Sequence, residues 1–220
     1  MHENVLIIFV REPVEGQVKT RLAAALGERA ACEFYKAFLK DLAVKVRGFP
    51  EYQRVVYYVH SAGNEFLKGV FPDYPMNIQQ GVHLGERMLL AFLEAFKEGA
   101  KKVVLIGSDC PDLPAESIEE AFVELDSKEA VFGPCSGGGY YLVGMKGFCP
   151  ELFEQIEWGT GKVLEETLQR AEGSYIRVDL LKEWSDIDTI EDLKMLQVRL
   201  AGLKTDIAAH TRELLENLPL

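Results

Sequence analysis

Apolar runs of strand length alternate with longer stretches of helical spacing along most of the chain. Residues 5–10 read as a buried strand, and a polar loop from Arg11 to Gly16 leads through Lys19-Thr20-Arg21-Leu22 into a helix over 29–46. Residues 54–59 form a second, β-branched and aromatic run, and 76–79 a short third strand. Over 84–97 helical spacing places Leu89, Leu90, Leu93 and Phe96 inward, with Gly99 as the stop. A strand at 102–106, a helix at 115–125, strands at 130–132 and 140–143 and a helix at 163–171 continue the alternation. The spacing then predicts a late strand at 174–178, a helix over 189–200 opened by Asp188 or Thr189, and a charged amphipathic tail helix over 205–218. Alternating strands and helices predict an α/β fold, a three-layer α/β/α sandwich whose mostly parallel sheet is covered on both faces.

Composition narrows this picture. With 220 residues, 48% of them hydrophobic, the chain can bury one sizeable core. No internal repeat and no linker rich in Pro, Gly or Ser divides it, so we read one domain over 1–203 followed by a C-terminal helix over 204–220. That tail either packs on the domain or builds a homodimer. The formal charge of −11 repels phosphate backbones and argues against a nucleic-acid partner. No apolar run reaches the span of a bilayer, and Met1-His2-Glu3-Asn4 enters the first strand without a basic region and signal-type core, so the expectation is a cytoplasmic protein. Cys32, Cys110, Cys135 and Cys149 show neither Cys-x-x-Cys spacing nor paired histidines, and read as reduced thiols.

Against that acidic background, the loop after the first strand gathers Arg11, Lys19 and Arg21 around Gly16. Guanidinium groups fork onto phosphate oxygens, an ammonium adds a point charge, and free N–H groups at a helix start favour an anion, so the loop suits a polyphosphate. It lacks the Gly-Lys-Ser/Thr of a P-loop and the three-glycine dinucleotide fingerprint, which speaks against an ordinary kinase or dehydrogenase. The segment Gly107-Ser108-Asp109-Cys110-Pro111-Asp112-Leu113-Pro114 places a carboxylate at the carboxyl end of a strand, where ligands of open α/β sheets bind. Hard divalent cations combine one or two carboxylates with substrate phosphates, so Asp109 reads as the anchor of a metal-phosphate site; helix capping accounts for Asp112. Gln79, Gly81 and Gly85 offer amide groups and close backbone approach to a nucleobase, and His83 reads as a surface or capping residue rather than a general base. Gly137-Gly138-Gly139 joins two strands, either as a tight connection or as a ligand cradle. In Asp186-Ile187-Asp188-Thr189, Asp188 fits a second metal ligand and equally a helix cap.

Together Pro13-x-x-Gly16-x-x-Lys19-Thr20-Arg21-Leu22, Gly107-Ser108-Asp109-Cys110-Pro111-Asp112 and Asp186-Ile187-Asp188-Thr189 resemble the nucleotide-diphospho-sugar transferase superfamily, which has the GT-A fold. Within it the likeness is to a bacterial family named as glycosyltransferases and similar to 2-phospho-L-lactate guanylyltransferase. The resemblance implies that Lys19 and Arg21 hold nucleotide phosphates, that the stretch from Gln79 to Gly85 faces the base, that Asp109 binds Mg²⁺ or Mn²⁺, and that Asp188 completes the metal site. The family tends to show Asp-Gly-Gly-Tyr where this chain has Gly137-Gly138-Gly139-Tyr140. The leading expectation is a metal-dependent nucleotidyltransferase acting between a nucleoside triphosphate and a phosphorylated small-molecule acceptor. Glycosyl transfer from a nucleotide-sugar, and a nucleotide-binding module without catalysis, are the alternatives.

Overall fold

The computed structural model describes residues 3–59 and 63–218. Among these residues seven strands form one sheet: β1 (Asn4–Arg11), β2 (Gln53–Val59), β3 (Met76–Ile78), β4 (Lys102–Ile106), β5 (Ala130–Pro134), β6 (Tyr140–Lys146) and β7 (Val178–Leu180), in the order β3-β2-β1-β4-β6-β5-β7. All pairings are parallel except those of β6, which runs antiparallel to both β4 and β5. Eight helices accompany the sheet among the described residues: α1 (Thr20–Leu26), α2 (Glu28–Arg47), α3 (Glu65–Val70), α4 (Leu84–Lys97), α5 (Ala115–Glu124), α6 (Val163–Gly173), α7 (Ile190–Ala201) and α8 (Ala209–Glu216).

The two-residue period of β1 divides the core. Leu6, Ile8 and Val10 face the side packed by α1, α2, α5, α7 and α8, whereas Val5, Ile7 and Phe9 face α4 and α6. Burial on both faces is what makes β1 and β4 continuous apolar runs. From β1 the chain moves to β2 on one side and the sheet later resumes at β4 on the other, so the order reverses between β1 and β4. Their carboxyl ends lie side by side, with Ile8 paired to Ile106, and a crevice opens there.

Helix α4 turns Met88, Ala91, Phe92 and Ala95 to the core and leaves the expected Leu89, Leu90, Leu93 and Phe96 only partly buried, because the small alanines let the helix lie close on the sheet. Most expected elements are present, with four differences in extent. Gly27, at φ 84°, separates α1 from α2. The late strand begins at Val178 rather than at 174, because α6 continues through Gly173 and Tyr175 turns the chain at φ 57°. The tail helix is shortened to eight residues, beginning after Ala208 at φ 53°. Helix α3 and a single 3₁₀ turn at Pro150–Phe153 have too few residues to show a period. The glycine run 137–139 is the connection of the antiparallel pair β5–β6.

The tail packs on the domain. Buried Asp41 of α2 accepts hydrogen bonds from the backbone N–H groups of His210 and Thr211 at 2.9 and 3.0 Å and from the Thr211 hydroxyl at 2.6 Å, capping α8 from across the chain. No helix among the described residues is long and apolar enough to cross a membrane. Met1 and His2, where the amino-terminal reading begins, lie outside the described residues.

Candidate functional site

The loop after β1 is anchored where it leaves the strand. Glu12 accepts from the N–H groups of Phe66 and Leu67 at the start of α3, and the Arg11 N–H donates to the Tyr35 hydroxyl at 3.0 Å. That hydroxyl lies 2.9 Å from Ser108 Oγ, joining the loop to the one after β4; burial pushes the phenol up to about 12 and keeps it protonated. Lys19 then adopts the left-handed conformation, φ 48° and ψ 44°, immediately before α1. A non-glycine residue held there stores strain of about 1–3 kcal/mol, the kind of outlier that clusters at functional sites.

The Lys19 ammonium lies over the Phe38 ring, 5.6 Å from its centroid, and bridges two carboxylates: Oδ1 of Asp109, and Oδ1 of Asp188 at 2.9 Å. Its side chain is 4% exposed, whereas those of Asp109 and Asp188 are 44% and 43% exposed. Burial pushes the ammonium down, but the two carboxylates more than offset this and hold it above the ordinary lysine range.

Local chemistry explains why two aspartates 79 residues apart in sequence meet here. The N–H of Ile187 donates to the Asp109 carbonyl at 2.9 Å, pinning one loop to the other. Thr189, not Asp188, caps α7: its hydroxyl accepts from Asp192 N–H at 3.2 Å, and Asp192 accepts in return from the Thr189 N–H at 2.8 Å. The reciprocal box frees the Asp188 side chain to turn toward Lys19. Between them sits Asp186, mostly buried, whose Oδ1 accepts from the thiols of Cys110 at 3.1 Å and Cys135 at 3.3 Å. Burial raises the carboxyl of Asp186 and also raises both thiols, so these cysteines act as hydrogen-bond donors and not as thiolate nucleophiles.

The capping role expected for Asp112 is corrected. Helix α5 begins after Pro114 without a side-chain cap, and Asp112 is buried, accepting from Arg199 Nε at 2.9 Å, Arg199 Nη2 at 3.3 Å and Trp184 Nε1 at 3.3 Å. This ion pair, with the Lys45 ammonium donating to the Pro111 carbonyl at 3.1 Å, braces the loop that carries Asp109.

A cleft of about 910 Å³ spans these elements and brings together Arg11, Lys19, Arg21, Gln79, Asp109, Gly139 and Asp188. Four other expected residues do not line it. Gly16, at φ 75°, turns the loop beside Glu28 and lines a smaller hollow. At φ 123°, Gly81 packs on the start of α4, and Gly85 packs beneath Trp158, where a Cβ would run into the indole. Gly138 lies against the Gly161 carbonyl, which occupies the space a Cβ would need. The Gln79 amide donates to the carbonyls of Val10 and Tyr57, which leaves its carbonyl oxygen toward a ligand. His83 caps α4, its Nδ1 accepting from Glu86 N–H at 3.2 Å.

Sequence reasoning misses Tyr35, Trp158, Thr160, Gly161 and Asp186 as lining residues. Tyr35 is indistinguishable from a core aromatic in the helical pattern, whereas the Gly159-Thr160-Gly161 turn ahead of α6 is a visible signal. At Gly137 no atom lies within 4 Å of where a Cβ would sit, so a side chain there would find open space. For a divalent ion, the carboxylates of Asp109 and Asp188 are a fitting hard-oxygen pair, since both remain partly exposed to the cleft while they face Lys19. Among the described residues no group of three or more His, Cys, Asp or Glu side chains is placed to hold a metal, so substrate oxygens and water would have to complete the shell.

The family model described as "Uncharacterized protein conserved in bacteria (DUF2064)" matches residues 42–160. No curated protein matches the chain. Among solved structures, a protein from Desulfovibrio desulfuricans G20 assigned as a nucleotide-diphospho-sugar transferase superposes with a TM-score of 0.93 at 34% identity, over 99% of this chain and 96% of that one. A CMP:2-keto-3-deoxy-manno-octonic acid synthetase complexed with CTP gives 0.59 at 9% identity, over 91% and 99%. The Rv0371c protein of Mycobacterium tuberculosis H37Rv, solved with manganese, gives 0.55 at 11% identity, over 88% and 97%. The last two likenesses concern the fold alone. Matched over more than half its length by the family model and along nearly its whole length by the Desulfovibrio protein, the chain belongs to the bacterial DUF2064 family and has the nucleotide-diphospho-sugar transferase fold.

Proposed function

We propose that this protein is a metal-dependent transferase with a nucleotide donor, and that its reaction is nucleotidyl transfer from a nucleoside triphosphate to a phosphorylated small-molecule acceptor. The observation that carries this reading is the convergence of Asp109 and Asp188 with Arg11 and Arg21 around one cleft at the carboxyl ends of β1 and β4. Asp109 and Asp188 would hold Mg²⁺ or Mn²⁺, which when bound supplies Lewis-acid polarisation of phosphoryl oxygens. Arg11 and Arg21 neutralise charge on the triphosphate, and the cleft holds the acceptor oxygen in line with the bond to be broken. That oxygen forms a bond to the α-phosphorus as the bond to pyrophosphate breaks, so no protein nucleophile is needed. Manganese with Rv0371c and CTP with the CMP synthetase support such ligands for this fold.

Glycosyl transfer from a nucleotide-sugar is the second reading, favoured by the assignment of the Desulfovibrio relative. Incubation with Mg²⁺ and each nucleoside triphosphate, with pyrophosphate release followed beside hydrolysis of nucleotide-sugars, separates the two. Pyrophosphate formation supports nucleotidyl transfer; sugar turnover without pyrophosphate reverses the order. A nucleotide-binding module without catalysis would bind nucleotide yet turn over neither donor, with Gly137→Asp unable to create activity.

A further inference from the structure

We propose that Lys19 is a resident counter-ion that makes the Asp109–Asp188 pair select a divalent cation delivered on a phosphate chain over the same cation free in solution. The inference rests on the reading of these aspartates as the metal pair and assigns Lys19 a role other than holding phosphates. The Lys19 side chain is almost wholly buried whereas both carboxylates are partly exposed, and its shortest contact to each is with Oδ1. Among the described residues neither Oδ2 atom accepts a hydrogen bond. The lysine therefore neutralises the pair from a buried position, while the carboxylates it touches stay accessible from the cleft. A left-handed backbone and the Phe38 ring under the ammonium fix it in that place, which is costly for a side chain that had only to reach a mobile phosphate.

The electrostatic consequence has two opposite signs. Two carboxylates and one ammonium carry a net −1, so a free divalent ion meets half the charge the aspartates alone would offer, and is repelled by a cation a few ångströms away. A triphosphate meets less repulsion from the same trio than from two bare carboxylates, and Arg11 and Arg21 in the cleft attract it further. Lys19 thus weakens binding of the free ion and strengthens binding of the anion that brings it.

Glycine adopts φ 48° without strain, so Lys19→Gly removes the charge while retaining the backbone, and Lys19→Arg retains the charge. Mn²⁺ alone is titrated into wild type, K19G, K19R, D109N and D188N by electron paramagnetic resonance, and inorganic tripolyphosphate is titrated in EDTA by calorimetry. Expected are a rise in free Mn²⁺ affinity of roughly tenfold in K19G, from one unit charge removed at a few ångströms, near wild-type affinity in K19R, and weaker tripolyphosphate binding in K19G. D188N, which leaves Lys19 facing Asp109 alone, should bind free Mn²⁺ more weakly than wild type and tests the same charge balance from the other side. Unchanged or lower Mn²⁺ affinity in K19G overturns the inference while leaving the metal pair intact. Wild-type Mn²⁺ binding in both D109N and D188N overturns the metal reading and the inference with it.

Discussion

Replacing Arg199 by Met should destabilise the protein far more than its position on a surface helix suggests. The Asp112 carboxylate is 0% exposed, and Arg199, 28% exposed, supplies two of its three hydrogen bonds. Removing the guanidinium leaves a buried charge with the single neutral donor of Trp184, for which a loss of about 3–5 kcal/mol is expected. At this chain length about 2–4 °C of melting temperature accompanies each kcal/mol, so the midpoint should fall by roughly 6–20 °C. The reverse deletion is asymmetric: in Asp112→Ala the guanidinium can turn to solvent, and the cost should be nearer 1–3 kcal/mol. Urea denaturation of both single variants and the double variant at pH 7 measures the difference. Because the double variant leaves no orphaned charge, its loss should be smaller than the sum. A loss below about 1 kcal/mol in R199M, or a larger loss in D112A than in R199M, would refute the reasoning.

Other consequences are equally specific. Asp109→Asn should lower Mn²⁺-dependent nucleoside triphosphate affinity at least roughly tenfold in calorimetry, since one of two anionic ligands is lost, and should cost only about 1–2 kcal/mol because Lys19 keeps Asp188. Gly138→Ala places a Cβ against the Gly161 carbonyl at φ 80° and should cost roughly 2–4 kcal/mol, whereas Gly137→Ala, with open space, should stay within about 0.5 kcal/mol in the same melts. Burial pushes the Lys45 ammonium down from its ordinary 10.5 to about 8. Between those values the unfolded chain binds more protons than the folded one, so this lysine's contribution to stability rises with pH from 8 to 10.5. The stability difference between wild type and Lys45→Met should therefore shift in favour of wild type across that window, thiol ionisation being common to both; a flat difference in pH-resolved urea melts would contradict it.

Much of the fold is legible in the sequence because β1 and β4 are apolar on both faces and because helices α2 and α4 are long enough for their period to show. The direction of β6 is not, since hydrophobic alternation carries no sign along the strand. Asp109, Lys19 and Arg21 are readable as charges concentrated after strands in an acidic chain. Which partner each takes is not. Asp112 and Asp188 both precede helices and look alike as candidate caps; only the tertiary structure gives Arg199 to the first and lets Thr189 and Asp192 cap α7 in place of the second. The thiols of Cys110 and Cys135 converge on Asp186 through contacts 76 and 51 residues apart, beyond any local pattern. Gly16, Gly81, Gly85 and Gly138 resemble ligand cradles in sequence, but each is small to admit a neighbouring protein group or to turn the chain.

The central claim is that Asp109 and Asp188 jointly receive a metal carried by a nucleotide. Crystals soaked with Mn²⁺ and CTP and measured at the manganese absorption edge test it most directly. An anomalous peak within about 2.5 Å of an oxygen of each carboxylate, contiguous with phosphate density reaching toward Arg11 or Arg21, is the predicted result. Nucleotide bound elsewhere, or bound in this cleft with manganese away from both aspartates, would contradict the account.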